Sequence, residues 1–119
     1  MQSFIVEESL KSVKIFWLDQ ERLQAELYRI AQEVGRGDKN VMKILLFGSL
    51  AENRAVPGSD ADILIILKRT TEPFLKRIEA WAAKFSVDFP TELFPYAEDE
   101  LNNPIVQEAI KKGITLFAR

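Results

Sequence analysis

Val41-Met42-Lys43-Ile44-Leu45-Leu46-Phe47-Gly48-Ser49, ten further residues, then Asp60-Ala61-Asp62-Ile63-Leu64-Ile65-Ile66-Leu67: this stretch decides the fold. Each apolar run has the length of a strand, far short of a membrane span. The second, Ile63 to Leu67, is apolar on both faces, which predicts an interior strand covered from both sides. The first ends abruptly at Gly48-Ser49. Between them Leu50 to Arg54 reads as a short polar turn or helix, and Val56-Pro57-Gly58-Ser59 breaks the chain.

Outward from this pair, strands and helices alternate. Ser12 to Leu18 is rich in β-branched and aromatic residues and predicts a strand. Asp19 follows as an N-cap, its carboxylate able to accept from free amides of the first helical turn. Leu23, Leu27, Ile30 and Val34 then recur at helical spacing. Gly35 fits a left-handed stop, with a loop from Arg36 to Asn40. Downstream, Thr70 or Thr71 and Pro73 open a helix with Phe74, Ile78, Trp81 and Phe85 on one stripe. Asp88-Phe89-Pro90 is a turn and Thr91 to Tyr96 a strand. Asn103-Pro104 begins a last helix through Ile110, Gly113 ends it, and Ile114 to Phe117 adds an edge strand. The fold class expected is α/β (α+β), a mixed central sheet flanked by helices. At 119 residues one domain over 1–119 is the expectation.

Composition narrows the chemistry. The chain has no cysteine and no histidine, so thiol nucleophiles, imidazole bases and Cys/His zinc sites are excluded. Any metal has to sit on oxygen ligands, which favours hard cations such as Mg²⁺. Sixteen Lys+Arg against eighteen Asp+Glu leave a net charge of −2, so no bulk cationic field recruits nucleic acid or a membrane surface. The opening Met1-Gln2-Ser3-Phe4-Ile5-Val6-Glu7-Glu8 lacks a signal-peptide pattern, and a cytoplasmic location is expected.

Asp60 and Asp62 carry the most information. Residues two apart on a strand point the same way, with Cα atoms roughly 6–7 Å apart. Asp is disfavoured in strands and like charges repel, so both at the mouth of the most apolar strand is a local cost that a divalent cation would remove. The alternative is a pair of solvated acids in the loop after Ser59. Gly48-Ser49 adds a place where backbone amides and a hydroxyl can approach an anion, since glycine has no β-carbon to hold a phosphate off. Alone it would be a turn glycine with a serine cap. Trp17, Trp81 and Phe85 read as core, Glu98-Asp99-Glu100 as a helix N-terminus, and Lys68-Arg69, Lys76-Arg77 and Lys111-Lys112 as solvated faces.

Leu46-Phe47-Gly48-Ser49, ten residues, then Asp60-Ala61-Asp62 resembles the signature of the DNA polymerase β-like nucleotidyltransferase superfamily, in particular its minimal single-domain branch. Leu50-Ala51, Pro57-Gly58-Ser59, Phe94-Pro95-Tyr96, Glu98-Asp99-Glu100-Leu101 and the ending Asn103-Pro104 to Phe117 fit as well, so the likeness spans nearly the whole chain. It implies transfer of NMP, with AMP from ATP favoured over other NTPs, to a hydroxyl acceptor. It further implies two Mg²⁺ ions on three carboxylates: Asp60, Asp62 and a third from a neighbouring strand. Glu92 is preferred for the third, because Pro90 separates it from the turn and it precedes Phe94-Pro95-Tyr96 at a suitable distance; Asp88, in Val87-Asp88-Phe89, is the second choice. Gly48 and Ser49 would hold the β- and γ-phosphates. Many relatives place a basic residue three positions after the serine, where this chain has Glu52; Arg54 is the candidate substitute.

With no further domain to hold an acceptor, the resemblance implies a helical partner protein encoded nearby, whose tyrosine accepts AMP, and an antitoxin role for this chain; it leaves room for a homo-oligomer. Two other readings stand beside this one. The chain could be a non-catalytic partner-binding antitoxin or scaffold with a degenerate site, which Glu52 favours. It could also modify a small hydroxylated molecule, in the manner of aminoglycoside-modifying relatives.

Overall fold

The computed structural model describes residues 4–10, 13–56 and 58–119, with side chains outside 9–17. Two strands, β1 (Ile5–Leu10) and β2 (Val13–Leu18), precede helix α1 (Gln20–Gly37). Then come β3 (Val41–Phe47), β4 (Ala61–Leu67), α2 (Phe74–Lys84), β5 (Thr91–Ala97), α3 (Pro104–Lys112) and β6 (Ile114–Ala118). The main sheet has the order β5-β4-β3-β6. Only the β4–β5 pair is parallel; β3 runs antiparallel to both β4 and β6. This is the mixed sheet with flanking helices that the sequence predicts.

β4 is interior and covered on both sides, as its double-faced apolar run requires. Ile63, Ile65 and Leu67 pack with Leu23, Leu27 and Ile30 of α1 and with Trp81 of α2. Leu64 and Ile66 pack on the other face with Val106 and Ala109 of α3. Each fully buried Leu or Ile contributes about 1.5–3 kcal/mol relative to exposure, so this strand anchors the sheet. Among the described residues no helix is long and apolar enough to cross a membrane.

The first forty residues depart from expectation in two places. β2 does not join the main sheet; it pairs with β1 in a separate antiparallel hairpin, Ile5 opposite Leu18 and Val6 opposite Trp17. β1 carried no strand signal, because Glu7 and Glu8 interrupt its apolar alternation and cross-strand pairing supplies what propensity does not. Phe4 and Leu18 fix the hairpin's base in the core, and Phe4 meets Phe89 edge to face at 6.2 Å. The core role expected for Trp17 lies outside the described side chains. Asp19 caps α1 as predicted, accepting from the Arg22 amide at 3.2 Å. Gly35, however, does not stop that helix. It lies inside it, where a β-carbon would come within 2.5 Å of the Phe117 ring. Helix-to-β6 packing, rather than a left-handed turn, requires this glycine.

The acidic run after β5 also differs. Glu98–Glu100 forms a 3₁₀ turn, and Glu100 folds back to accept from the Ala97 amide at 2.7 Å and from Arg77 Nη1 at 2.7 Å. Arg77, expected on a solvated face, is only 11% exposed at its side chain and also donates to the Pro95 carbonyl. Trp81 and Phe85 are buried as expected. Asn103 caps α3 through the Ile105 amide, and Gly113 ends it.

Candidate active site

Strand direction gathers the predicted residues at one end of the sheet. Because β3 and β4 are antiparallel, β3 finishes where β4 begins; because β5 is parallel to β4, it begins there too. Phe47 pairs with Asp62, and Asp62 pairs with Glu92. Adjacent strands lie about 4.7–4.9 Å apart, so Asp62 and Glu92 stand on neighbouring rungs. Asp62 shares the strand face of Leu64 and Ile66, and Glu92 that of Phe94 and Tyr96, all on the α3 side of the sheet. Asp60 is exposed and immediately precedes β4.

Three acids in this arrangement act on one another. Burial raises the Asp62 carboxyl above the ordinary aspartate range, and the negative charges of Glu92 and then Asp60 push it further. No ion pair among the described residues reaches any of the three. Their donors are hard carboxylate oxygens whose repulsion a divalent cation would relieve, so the donor chemistry fits Mg²⁺. As placed, no three acids among the described residues already form a closed metal cage. Asp88 is not part of the group. It precedes Pro90 and the start of β5, and lines a separate cavity of about 470 Å³ with Phe4, Arg22, Glu26 and Arg29.

Gly48 connects the acids to the following turn. Its φ of +76° is left-handed, and a β-carbon there would overlap Asp62 Oδ2. Glycine is thus required twice, for backbone conformation and for the Asp62 carboxylate lying against it. The Glu52 amide donates to the Gly48 carbonyl at 3.1 Å and the Arg54 amide to the Ser49 carbonyl at 2.8 Å, closing the turn. Leu50 is fully buried and its carbonyl accepts from Gln24 Nε2, so the turn is pinned to α1. Asn53, at φ 60°, takes a left-handed position that asparagine tolerates. The Arg54 guanidinium lies against Glu52 at 3.1 Å.

Two features went unseen in the sequence. One is an apolar cleft of about 370 Å³ between α2 and the outer edge of β5, lined by Phe74, Ile78, Phe85 and Phe94, with Glu92 at its wall. It exists only because β5 is an edge strand. The other is Lys112, whose pairing with Glu108 raises its already high pKa and which also feels the charges of Glu52 and Arg54. No local signal marks it: only the antiparallel pairing of β3 with β6 brings the residues before Ile114 toward the end of β3.

Comparison with known proteins agrees with this geometry. A Sulfolobus solfataricus protein described as a putative nucleotidyltransferase superposes with a TM-score of 0.65 at 22% identity, over 84% of each chain. A toxin–antitoxin structure with AMP-PNP gives 0.55 at 18% identity, over 77% of this chain and 73% of that one. A complex of a tri-AMPylated Shewanella oneidensis HEPN toxin with its MNT antitoxin gives 0.50 at 16%, over 84% and 73%. At these identities the likenesses show the fold. No curated protein sequence matches the chain. The family profile described as polymerase beta, nucleotidyltransferase, matches residues 29–119, a span that holds both the Gly-Ser turn and all three acids. The chain belongs to the polymerase beta nucleotidyltransferase family.

Proposed function

We propose that this protein transfers AMP from ATP to a hydroxyl group on a separate protein, using Asp60, Asp62 and Glu92. The observation that carries the reading is the cross-strand pairing of Asp62 with Glu92, beside Asp60 and the Gly48-Ser49 turn. The AMP-PNP and AMPylated-toxin complexes among its structural neighbours support the choice of nucleotide and of a protein acceptor.

In this mechanism the Gly48-Ser49 turn holds the β- and γ-phosphates through amides and the Ser49 hydroxyl. Asp60, Asp62 and Glu92 would hold two Mg²⁺ ions, which supply charge stabilisation to the attacking and leaving oxygens of an in-line displacement. The acceptor oxygen forms a bond to the α-phosphorus as the bond to the bridging oxygen of pyrophosphate breaks. The proton leaves the acceptor hydroxyl for a carboxylate, since the chain has no imidazole. Glu92 is exposed, as Asp60 is, and it alone of the three lies on the edge strand β5, open to an incoming acceptor. The neighbouring aromatic cleft would receive the ring of an acceptor tyrosine.

Incubation with α-labelled ATP, Mg²⁺ and the protein encoded beside it tests the proposal. Label should move to the neighbour and be lost in the Asp60→Ala/Asp62→Ala double variant. A neighbour that stays unlabelled with wild-type protein, under Mg²⁺ and Mn²⁺ alike, refutes it. Glu52 supports a second reading, a partner-binding antitoxin without turnover, because an acid sits in the phosphate turn with Arg54 committed to it. In that case the double variant keeps its biological effect.

A further inference from the structure

We infer that Lys112, at the C-terminal end of α3, is the cation that contacts the β- and γ-phosphates, in place of the basic residue the Gly-Ser turn lacks. The inference rests on the nucleotidyltransferase reading and adds a residue to it. Within the turn, Arg54 and Glu52 neutralise each other. Across from it stand three carboxylates with no ion-pair partner among the described residues. Two Mg²⁺ on those carboxylates would offset their charge, but with Arg54 tied to Glu52 the turn itself offers the β- and γ-phosphates no side-chain cation, and one from outside the turn would supply it.

The fold brings one. Leu45 pairs with Thr115 and Leu46 with Ile114. Lys112 is the last residue of α3 and Gly113 alone separates it from β6, so the end of that helix lies next to the end of β3, where the chain enters Gly48-Ser49. Gly113 makes the approach close: a β-carbon there would strike the Ala109 carbonyl and come within 2.9 Å of the Leu46 carbonyl oxygen. The end of α3 is therefore pressed onto the end of β3. Lys112 Nζ rests on Glu108 at 3.1 Å, with its side chain about half exposed at 48%. It shares its electrostatic surroundings with Glu52 and Arg54, the two charges of the phosphate turn. An exposed i,i+4 pair with Glu108 holds a lysine only weakly, so the ammonium is free to exchange Glu108 for phosphate.

A bland explanation competes, since a lysine in the last helical turn complements the helix dipole wherever it points. Lys111 occupies the same turn and serves as the control. The experiment is calorimetric titration of Mg·ATP and Mg·AMP into wild-type protein and the Lys112→Met, Lys111→Met, Glu108→Gln and Lys112→Arg variants. Lys112→Met should weaken ATP binding roughly tenfold or more, the scale of one charge-assisted hydrogen bond, and leave AMP binding within about twofold. Lys111→Met and Glu108→Gln should bind ATP as wild type does, and Lys112→Arg should restore most of the affinity. Equal ATP affinity in Lys112→Met and Lys111→Met overturns the inference while leaving the transferase reading intact. Wild-type protein that binds no ATP overturns both.

Discussion

The two ends of the sheet treat charge in opposite ways. At the end where β4 and β5 finish, several charged side chains are tied to partners. Arg77 joins Glu100 and the Pro95 carbonyl, and Glu100 also takes the Ala97 amide. Arg119 donates to the Val41, Gly35 and Asp38 carbonyls, and Lys84 approaches Asp38. At the end where those strands begin, Asp62 bears the negative charges of Glu92 and Asp60, and no ion pair among the described residues reaches any of the three. The first end is arranged for stability. The second accepts a standing repulsion, and stored unfavourable electrostatics of this kind marks sites whose missing charge arrives with a ligand.

The contrast predicts that the acidic end should gain stability when it loses function. Asp62→Asn should abolish transfer, by on the order of 10³-fold or more, since under the proposed mechanism it removes the central one of the three carboxylates. It should also raise the unfolding midpoint in metal-free buffer at neutral pH. The sign follows from the raised native pKa of Asp62. The folded state binds this proton more readily than the unfolded state, so stability falls as pH rises from the unfolded value through the native one. Above that window the penalty is complete and Asn escapes it; below it, wild type and variant converge. Urea titrations from pH 3 to pH 8 would show the curves diverging upward, and a variant less stable than wild type at pH 7 would break the comparison.

At the opposite end the same experiment should give the reverse result. Arg77→Ala removes a nearly buried guanidinium that bridges α2 to the turn after β5. Glu100 is partly exposed, so the loss should be about 1–2 kcal/mol rather than that of a fully buried pair. Nucleotide binding should be unchanged. Arg77 and the Ala97 amide hold the Glu100 carboxyl below the usual glutamate range, so its contribution is present above pH 4.5 and lost as pH falls through the depressed native value. Glu100→Gln should therefore flatten the acid limb of the stability profile, as chemical denaturation across pH 2 to 6 would reveal.

How far these two ends were legible in the sequence differs for a physical reason. Asp60, Asp62, Gly48 and Ser49 lie on or beside strands whose periodicity is plain, so local rules placed them. Glu92 over Asp88 was decided by Pro90, a local break that fixes where β5 starts. Arg77 and Glu100 were missed because their partnership spans 23 positions, and no local pattern marks an arginine that turns inward. Gly35 was misread for the same reason: its constraint comes from Phe117, at the other end of the chain. The hairpin β1–β2 depends on pairing between two segments of which only one carries a strand pattern. Lys112 read as part of a solvated face, and only the packing of the end of α3 against the end of β3 brings it under the influence of Glu52 and Arg54. What the sequence displayed was periodicity and punctuation; what it hid was contact at long separation.

The smallest expected effect is the sharpest check on the division. Asp88 and Glu92 are four residues apart and were rivals for one role, yet the break at Pro90 sends them to different places. Glu92 goes to the rung beside Asp62. Asp88 goes to the cavity against α1, where Arg22 and Arg29 supply positive charge and Asp88 is not among the groups that perturb Asp62. Asp88→Asn should accordingly leave transfer within about twofold and change stability by no more than about 0.5 kcal/mol, as for a surface substitution. Glu92→Gln, measured alongside it in the same label-transfer assay, should lose nearly all activity. If the two variants traded places, the third acid would have to come from the loop before Pro90, and the strand register that defines the acidic end would no longer explain the chemistry.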